Sequence, residues 1–331
     1  MAVRARGWCR VDLAGGTLDI WPLGVLHRNA RTVNLAIDLP VVVDVDHADG
    51  GFAVSQGGET IRAESAAQLA GLEGTDLVGE ILHELEAPPL TLTISSASPR
   101  GGGLGASSAL AVALIAAVET LVGRELSSPR RASALARDLE ARLMGLPTGR
   151  QDHYPALVGG ALDIRYRPGG EVVRLLDVDL ESVAESLIVA YTGRSHFSAG
   201  NNWEVIRKRL DGEAESIELF DGICEVAGRL LTALESGDLA AVGEQMSAEW
   251  SFRRRLAAGV STPEIEDLLS AASGAGAWGG KATGAGGGGC IAVLTPSDHR
   301  AQVEEALARA GARILPARPA AGGVRIDRLP G

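Results

Sequence analysis

The residues best suited to chemistry form one glycine-rich stretch, Ser98-Pro-Arg-Gly-Gly-Gly-Leu-Gly-Ala-Ser-Ser-Ala-Leu. Glycines at 101, 102, 103 and 105 carry no Cβ, so successive backbone N–H groups can turn toward an anion. The residues from Ser107 onward read as a helix, whose N-terminus adds about half a positive charge. A tight turn before a buried helix needs one or two glycines. Four within five positions, followed by the hydroxyls of Ser107 and Ser108, indicate a phosphate site. The stretch lacks the Gly-Lys-Ser/Thr ending of a P-loop NTPase. It contains Gly-x-Gly-x-x-Ala over 101–106, but a dinucleotide-binding unit needs a second parallel strand ending in an acid about 20 residues on. Here Val122 runs into Gly-Arg-Glu-Leu-Ser-Ser-Pro and another helix.

The elements that must position this loop follow from periodicity. Leu90-Thr-Leu-Thr-Ile94 alternates as a half-buried strand leading into it, and 107–122 is almost entirely Ala, Leu, Val and Ile, the composition of a buried helix. Upstream, 32–37 and 41–45 read as neighbouring strands broken by Pro40, with a weaker strand at 59–62 and a short helix at 76–85. Downstream, a helix is expected over 129–144, with strands over 161–166 and 186–191. Three amphipathic helices then follow between about 199 and 274. Strands near 290–294 and 323–326 around a helix at 297–310 close the chain. No internal repeat or low-complexity linker is visible, and a boundary is expected between 175 and 185.

Composition narrows the function classes. A chain of 331 residues suits one large or two coupled domains, and 46% hydrophobic with 22% charged residues is a globular profile. The net charge of −11 argues against a general nucleic-acid or membrane-surface binder. No run approaches the roughly 18 apolar residues of a membrane span, and the N-terminus shows no signal-peptide core, so a cytoplasmic protein is expected. Cys9, Cys224 and Cys290 are an odd number without metal-ligand spacing, which excludes a disulfide scaffold or zinc ribbon. Arginine supplies 29 of the 31 basic residues, leaving only Lys208 and Lys281 as lysines.

Three further stretches accompany the loop: Cys9-Arg-Val-Asp-Leu-Ala-Gly-Gly-Thr-Leu-Asp-Ile20, Leu139-Glu-Ala-Arg-Leu-Met-Gly-Leu-Pro-Thr-Gly-Arg-Gln-Asp-His-Tyr154 and Gly279-Gly-Lys-Ala-Thr-Gly-Ala-Gly-Gly-Gly-Gly-Cys290. Each has a plain reading alone: a turn, a helix end, a flexible linker. A linker, however, would not lie between Trp278 and the apolar strand Cys290–Leu294. In this order and spacing, from about residue 8 to 295, the four stretches resemble the GHMP small-molecule kinases, the superfamily of galactokinase, homoserine kinase, mevalonate kinase and phosphomevalonate kinase. The closest likeness is to the branch of bacterial heptose-phosphate kinases and fucokinase-like sugar kinases, through 149–154 and through Trp250…Gly259-Val-Ser-Thr-Pro-Glu-Ile-Glu.

The resemblance implies an α+β, two-domain fold. Residues 1–180 would form a ribosomal-protein-S5-like N-terminal domain, and 181–331 a C-terminal domain of ferredoxin-like character. It implies ATP and Mg2+, with a sugar or sugar phosphate as acceptor; the anomeric hydroxyl of a heptose phosphate is one candidate. Asp152 matches the family's catalytic aspartate and Arg10 the arginine paired with it. Pro99, Gly101, Gly102, Gly103, Leu104, Gly105, Ala106, Ser107 and Ser108 match the ATP-phosphate loop, and Gly284, Gly286 and Gly287 the third motif that approaches it. Ser107 and Glu140, twelve residues before Asp152, match the Mg2+ ligands, with Asp138 as the alternative to Glu140. Asp19, Gly16, Thr17 and Gly149 match acceptor-binding positions, and Tyr191, Arg194 and His196 lie in a segment where sugar kinases contact substrate.

Two departures are visible. Galactokinases carry Glu-His where this chain has Gly16-Thr17. The heptose-kinase pattern Gly-Gly-Gly-Thr-Asp followed by prolines here reads Gly15-Gly-Thr-Leu-Asp-Ile-Trp-Pro22. His153 is expected in the site wall, Lys281 as a surface lysine at a strand end, and Cys9 and Cys290 as packed small residues. Non-sugar alcohol kinases and a ligand sensor without turnover are the alternative functions. No expectation arises for the oligomeric state.

Overall fold

A computed structural model describes residues 2–195 and 199–330. In chain order its elements are β1 (Val3–Ala14), α1 (Leu23–Leu26), β2 (Arg31–His47), β3 (Phe52–Gln56), β4 (Glu59–Ala63), α2 (Ala66–Ala70), α3 (Asp76–Glu84), β5 (Leu90–Ser96), α4 (Ala106–Leu121), α5 (Pro129–Met144), α6 (His153–Val158), β6 (Ala161–Arg167) and β7 (Gly170–Leu176). There follow α7 (Leu180–Ser186), β8 (Leu187–Tyr191), α8 (Ala199–Leu210), α9 (Ala214–Glu235), α10 (Leu239–Arg253), α11 (Pro263–Gly274), β9 (Gly279–Ala282), β10 (Cys290–Leu294), α12 (Arg300–Arg309), β11 (Arg313–Leu315) and β12 (Arg325–Arg328).

Two sheets carry the fold. The first runs β12-β1-β2-β5-β3-β4, with β6 paired to the first half of β2 and β7 beyond it. The second runs β11-β8-β10-β9, all antiparallel. The last strand, β12, returns to pair with β1, so the chain ends in the sheet where it began.

Period-2 alternation lets the second sheet serve two cores. Leu187, Val189, Ala292 and Leu294 pack toward the main core, whereas Ile188, Ala190, Ile291 and Val293 face the helices α9, α11 and α12. Helix α4 lies in the main core, buried from Ala111 through Glu119, as its all-apolar composition predicts. Among the described residues, no helix is long and apolar enough to cross a membrane.

Two expectations need correction. Pro40 does not divide two strands: β2 runs unbroken from 31 to 47. Opposite it, the register jumps from Trp8↔Pro40 to Cys9↔Ile37, so the proline occupies a bulge where its missing N–H breaks no regular ladder. The stretch 199–274 holds four helices rather than three, because Asp211-Gly212 and Gly237-Asp238 each end one and start another. Gly212 and Gly237 both have φ near +75°, the left-handed conformation that glycine accepts without strain.

Candidate active site

The glycine-rich loop lies between β5 and α4. Gly102 N–H donates to Pro99 O at 3.1 Å, closing a turn, and Gly105 enters the helix with φ +72°. No side chain caps α4, and its first regular hydrogen bond runs from Ala109 N–H to Gly105 O at 2.9 Å. The N–H groups of Ala106, Ser107 and Ser108 therefore precede that ladder at the positive end of a 16-residue helix, which suits a phosphate.

Strand β1 delivers the cation beside this loop. Its residues alternate between buried and half-buried up to Trp8, and from Cys9 onward all are buried, because both faces are then covered. Arg10 N–H donates to Leu104 O at 2.9 Å, tying the strand to the loop. Its guanidinium donates to Gly103 O at 2.6 Å and, through Nε, to Asp152 Oδ1 at 2.9 Å; Nη2 lies 2.7 Å from the same oxygen. Burial works against the Arg10 charge, but Asp152, Asp12 and Asp19 outweigh it and hold its pKa above the ordinary value. Asp152 stands at the start of α6 without capping it, so its carboxylate is not committed to helix termination. A Cβ on Gly105 would stand 3.3 Å from Asp152 Cγ, so the bare backbone there lets the carboxylate approach the loop.

Helix α5 supplies the acid. Glu140 Oε1 accepts from Ser108 Oγ at 2.9 Å and from Ser107 Oγ at 3.3 Å. Asp138, two residues earlier, points outward and pairs with Arg137. A serine hydroxyl and a carboxylate beside a phosphate site are hard oxygen donors of the kind Mg2+ takes, with phosphate and water completing its shell. Among the described residues no cluster of three His, Cys, Asp or Glu side chains could hold a metal without such help. His153 is fully buried behind Glu140, 3.1 Å from Oε2, and does not reach the cleft wall.

The third motif closes over the loop. Cys290 N–H donates to Gly102 O at 2.9 Å, and Cβ atoms on Gly103 or Gly289 would stand 2.7 Å from Thr283 O and 2.8 Å from Gly102 C. Close approach of two backbones thus requires glycine here. Lys281 does lie at the end of β9 but, against the expected surface position, is fully buried: its Nζ lies 2.5 Å from Asp12 Oδ2 and 3.5 Å from Glu249 Oε2. Glu249 Oε1 accepts from Gly15 N–H at 3.2 Å and from Arg253 Nη2 at 2.6 Å. Arg253 also donates to Gly16 O at 2.7 Å and Thr17 Oγ1 at 3.0 Å. Burial alone would raise the Asp12 pKa, but Lys281, Arg10 and Arg253 together lower it. Sequence reading missed this four-residue charge network as a positioning device.

A cleft of about 780 Å³ joins these parts. Pro99 to Ser108 line it, as do Arg10, Asp152, Glu140, Thr17, Asp19, Gly149, Gly284 and Gly286. Val78, Ile94, Leu110 and Met144 give it an apolar flank. Gln151, Trp203 and Ile206 also line it, although the sequence did not single them out as site residues. Asp19 Oδ2 accepts from Gln151 N–H at 3.1 Å, and burial together with the Asp152 charge pushes the Asp19 pKa up to about 6. Gly149 lies so close that a Cβ there would overlap the Asp19 carboxylate.

Other expected residues stand elsewhere. Gly16 braces Arg253 behind the wall, and Gly287 N–H donates to Val260 O at 2.7 Å outside it. Tyr191 carries the Arg313 guanidinium over its ring at 5.6 Å, and Arg194 pairs with Glu264 at 2.9 Å; neither lines the cleft. His196 lies outside the described residues. Cys9 and Cys290 are fully buried, with thiols pushed up to about 12 by burial, which fits packing rather than nucleophilic chemistry.

Comparison with known proteins gives the family of the chain. The model of the GHMP kinases N terminal domain covers residues 75–160, and that of the GHMP kinases C terminal covers 230–313. A mevalonate kinase from Thermococcus sibiricus is 34% identical over 262 residues, 77% of this chain and 74% of that protein. A D-glycero-alpha-D-manno-heptose 7-phosphate kinase from Campylobacter jejuni is 28% identical over 300 residues, 87% of each chain. The crystal structure of a D-glycero-D-manno-heptose 1-phosphate kinase from Bacteriodes thetaiotaomicron superimposes with a TM-score of 0.78 at 20% identity, covering 99% of this chain and 100% of that one. That last likeness is one of fold.

Proposed function

The chain belongs to the GHMP kinases, ATP-dependent phosphotransferases with alcohol acceptors, and from this premise we propose that it phosphorylates a hydroxyl of a sugar or sugar phosphate. The observation that carries the reading is the Arg10–Asp152 pair beside the uncapped N-terminus of α4. In this reading the N–H groups of Ala106 to Ser108 and the loop glycines receive the ATP phosphates, and the apolar flank takes the base. Asp152 accepts or orients the proton of the acceptor hydroxyl. Arg10 fixes the Asp152 carboxylate by its paired hydrogen bonds and offsets charge that develops on the moving phosphoryl group. Ser107 and Glu140 would hold Mg2+, which supplies neutralisation of phosphate charge when bound. We assign residues 1–180 to the N-terminal domain and 181–331 to the C-terminal domain, with β12 lent back across the boundary.

The acceptor end supports a hydroxylated substrate, since Asp19 and Asp152 are both carboxylates and the Arg10 guanidinium is committed to Asp152 and Gly103. A kinase for a mevalonate-like alcohol is the second reading, favoured by 34% identity to an archaeal mevalonate kinase. Incubation with Mg-ATP and a panel of heptoses, hexoses, their phosphates and mevalonate tests both. ADP release identifies turnover, and phosphorus NMR locates the new ester. A sugar phosphate product supports the first reading, phosphomevalonate the second, and ATP binding without ADP release under any acceptor indicates a sensor.

A further inference from the structure

We propose that Glu171 is a positioning residue for the transfer step: its carboxylate holds Arg150 and Tyr154, which flank Asp152 in the chain, and so fixes where the Asp152 carboxylate stands. This rests on the reading in which Asp152 acts at the acceptor hydroxyl, and it applies to a sugar and to a mevalonate-like acceptor alike.

Asp152 lies where a loop meets a helix. No helix or strand covers 145–152, between α5 and α6, so no regular ladder sets its place. Side chains set it instead, and they come from one sheet. Arg10 on β1 takes the Asp152 carboxylate, and Asn34 on β2 donates to the Gln151 carbonyl at 2.9 Å. On β7, Glu171 Oε1 accepts from Arg150 Nη1 at 2.5 Å and from the Tyr154 hydroxyl at 2.5 Å. β1 pairs with β2, β2 with β6 and β6 with β7, where Tyr166 stands opposite Glu171. The Asp152 carboxylate, the peptide before it and both flanking side chains are thus tied to strands of a single sheet, a more exact support than loops provide.

The clamp sits behind the cleft wall. Gly149, Gln151 and Asp152 line the cleft, but Arg150, Tyr154 and Glu171 do not, so Glu171 acts through Asp152 rather than on a substrate. Its side chain is 6% exposed and that of Arg150 13%, while Tyr154 is buried. Burial works against the Glu171 charge, but hydrogen bonds from Tyr154 and from its own backbone, with the Arg150 charge, outweigh it and lower its pKa. One ionised oxygen therefore takes two donors, from positions two residues before and two residues after Asp152, and its charge strengthens both bonds. Arg150 Nε is buried with no hydrogen-bond partner among the described residues, so the bond to Glu171 is what holds this guanidinium.

The test is a double-variant cycle on the full chain, with Mg-ATP and whichever acceptor of the panel the parent phosphorylates. Glu171→Ala should lower kcat about 10- to 100-fold, the scale of loss when a catalytic group is misplaced by roughly 1 Å, at an unchanged KM for ATP. Glu171→Gln keeps an acceptor oxygen and should recover part of the loss. Added to Asp152→Asn, Glu171→Ala should cost little further, because the carboxylate it positions is already gone. A residue that only supported the fold would lower both backgrounds by the same factor. Should Glu171→Ala lose its melting transition, Tyr154→Phe takes its place in the cycle. It removes one hydroxyl, and a smaller loss of kcat that disappears on Asp152→Asn is the expected result. Equal losses in the two backgrounds, or parent-like kcat in the folded single variant, overturn the proposal while leaving Asp152 its role. Parent-like kcat in Asp152→Asn, or no ADP release by the parent with any acceptor, overturns the Asp152 reading and this proposal with it.

Discussion

Lys281 Nζ lies 2.5 Å from Asp12 Oδ2 with both side chains fully buried, and the second Asp12 oxygen accepts from Gly284 N–H at 2.8 Å. One carboxylate therefore joins β1, which carries Arg10, to the loop of the third motif. Burying these charges is costly, and removing one partner strands the other. Lys281→Met should destabilise the protein by about 3–5 kcal/mol, measured by urea unfolding. Adding Asp12→Leu should recover part of that loss, because the stranded carboxylate is gone; a double variant no better than the single would contradict the pairing.

The loop assignment predicts a loss of nucleotide affinity in Gly103→Val. Gly103 has φ +67°, and a Cβ there would stand 2.7 Å from Thr283 O, so a side chain both strains the backbone and forces the two loops apart. Calorimetry with ATP reads this directly. Binding as tight as that of the parent would remove the loop from the nucleotide site.

Glu140→Gln should raise the Mg2+ concentration needed for half-maximal turnover, since a neutral amide is a poorer ligand for a hard cation. Ser107→Ala should act in the same direction. A magnesium titration with unchanged midpoints for both would assign these residues to loop packing alone.

Asp19 should impose a pH dependence. Its folded pKa, about 6, is raised above the ordinary carboxyl value by burial and by Asp152. Its contribution to stability is therefore favourable at low pH and is lost as pH rises toward 6, because the folded state holds the proton more tightly than the unfolded one. Acceptor binding should change in the opposite sense, with KM falling as pH rises through about 6 and Oδ1 becomes a full acceptor. Asp19→Asn should flatten both profiles; an unchanged stability profile in that variant would place the titration elsewhere.

Much of the candidate site was legible because its signals are local. Four glycines before an almost entirely apolar helix mark the loop without tertiary information, and Ser107, Glu140 and Asp152, expected from the resemblance, come together in one cleft. The charge network was not legible. Asp12 and Lys281 are 269 positions apart, and Glu249 and Arg253 read as an ordinary i, i+4 pair on a helix surface. The clue was compositional: Lys281 is one of only two lysines and lies inside a glycine motif. Pro40 misled because strand propensity is local while the bulge opposite Trp8 is set by β1. Tyr191 and Arg194 were expected at the substrate, but their side chains turn to Arg313 and Glu264 and do not line the cleft.

Asp152→Asn measures the central claim most directly. The amide keeps the shape of the side chain but loses its charge and basicity, a change expected to lower kcat by roughly 2–4 orders of magnitude. Product formation, ATP affinity and thermal melting are read on the same preparation, with Arg10→Ala alongside. The account predicts a folded protein that binds Mg-ATP like the parent and scarcely turns over. Undiminished kcat in folded Asp152→Asn would contradict it.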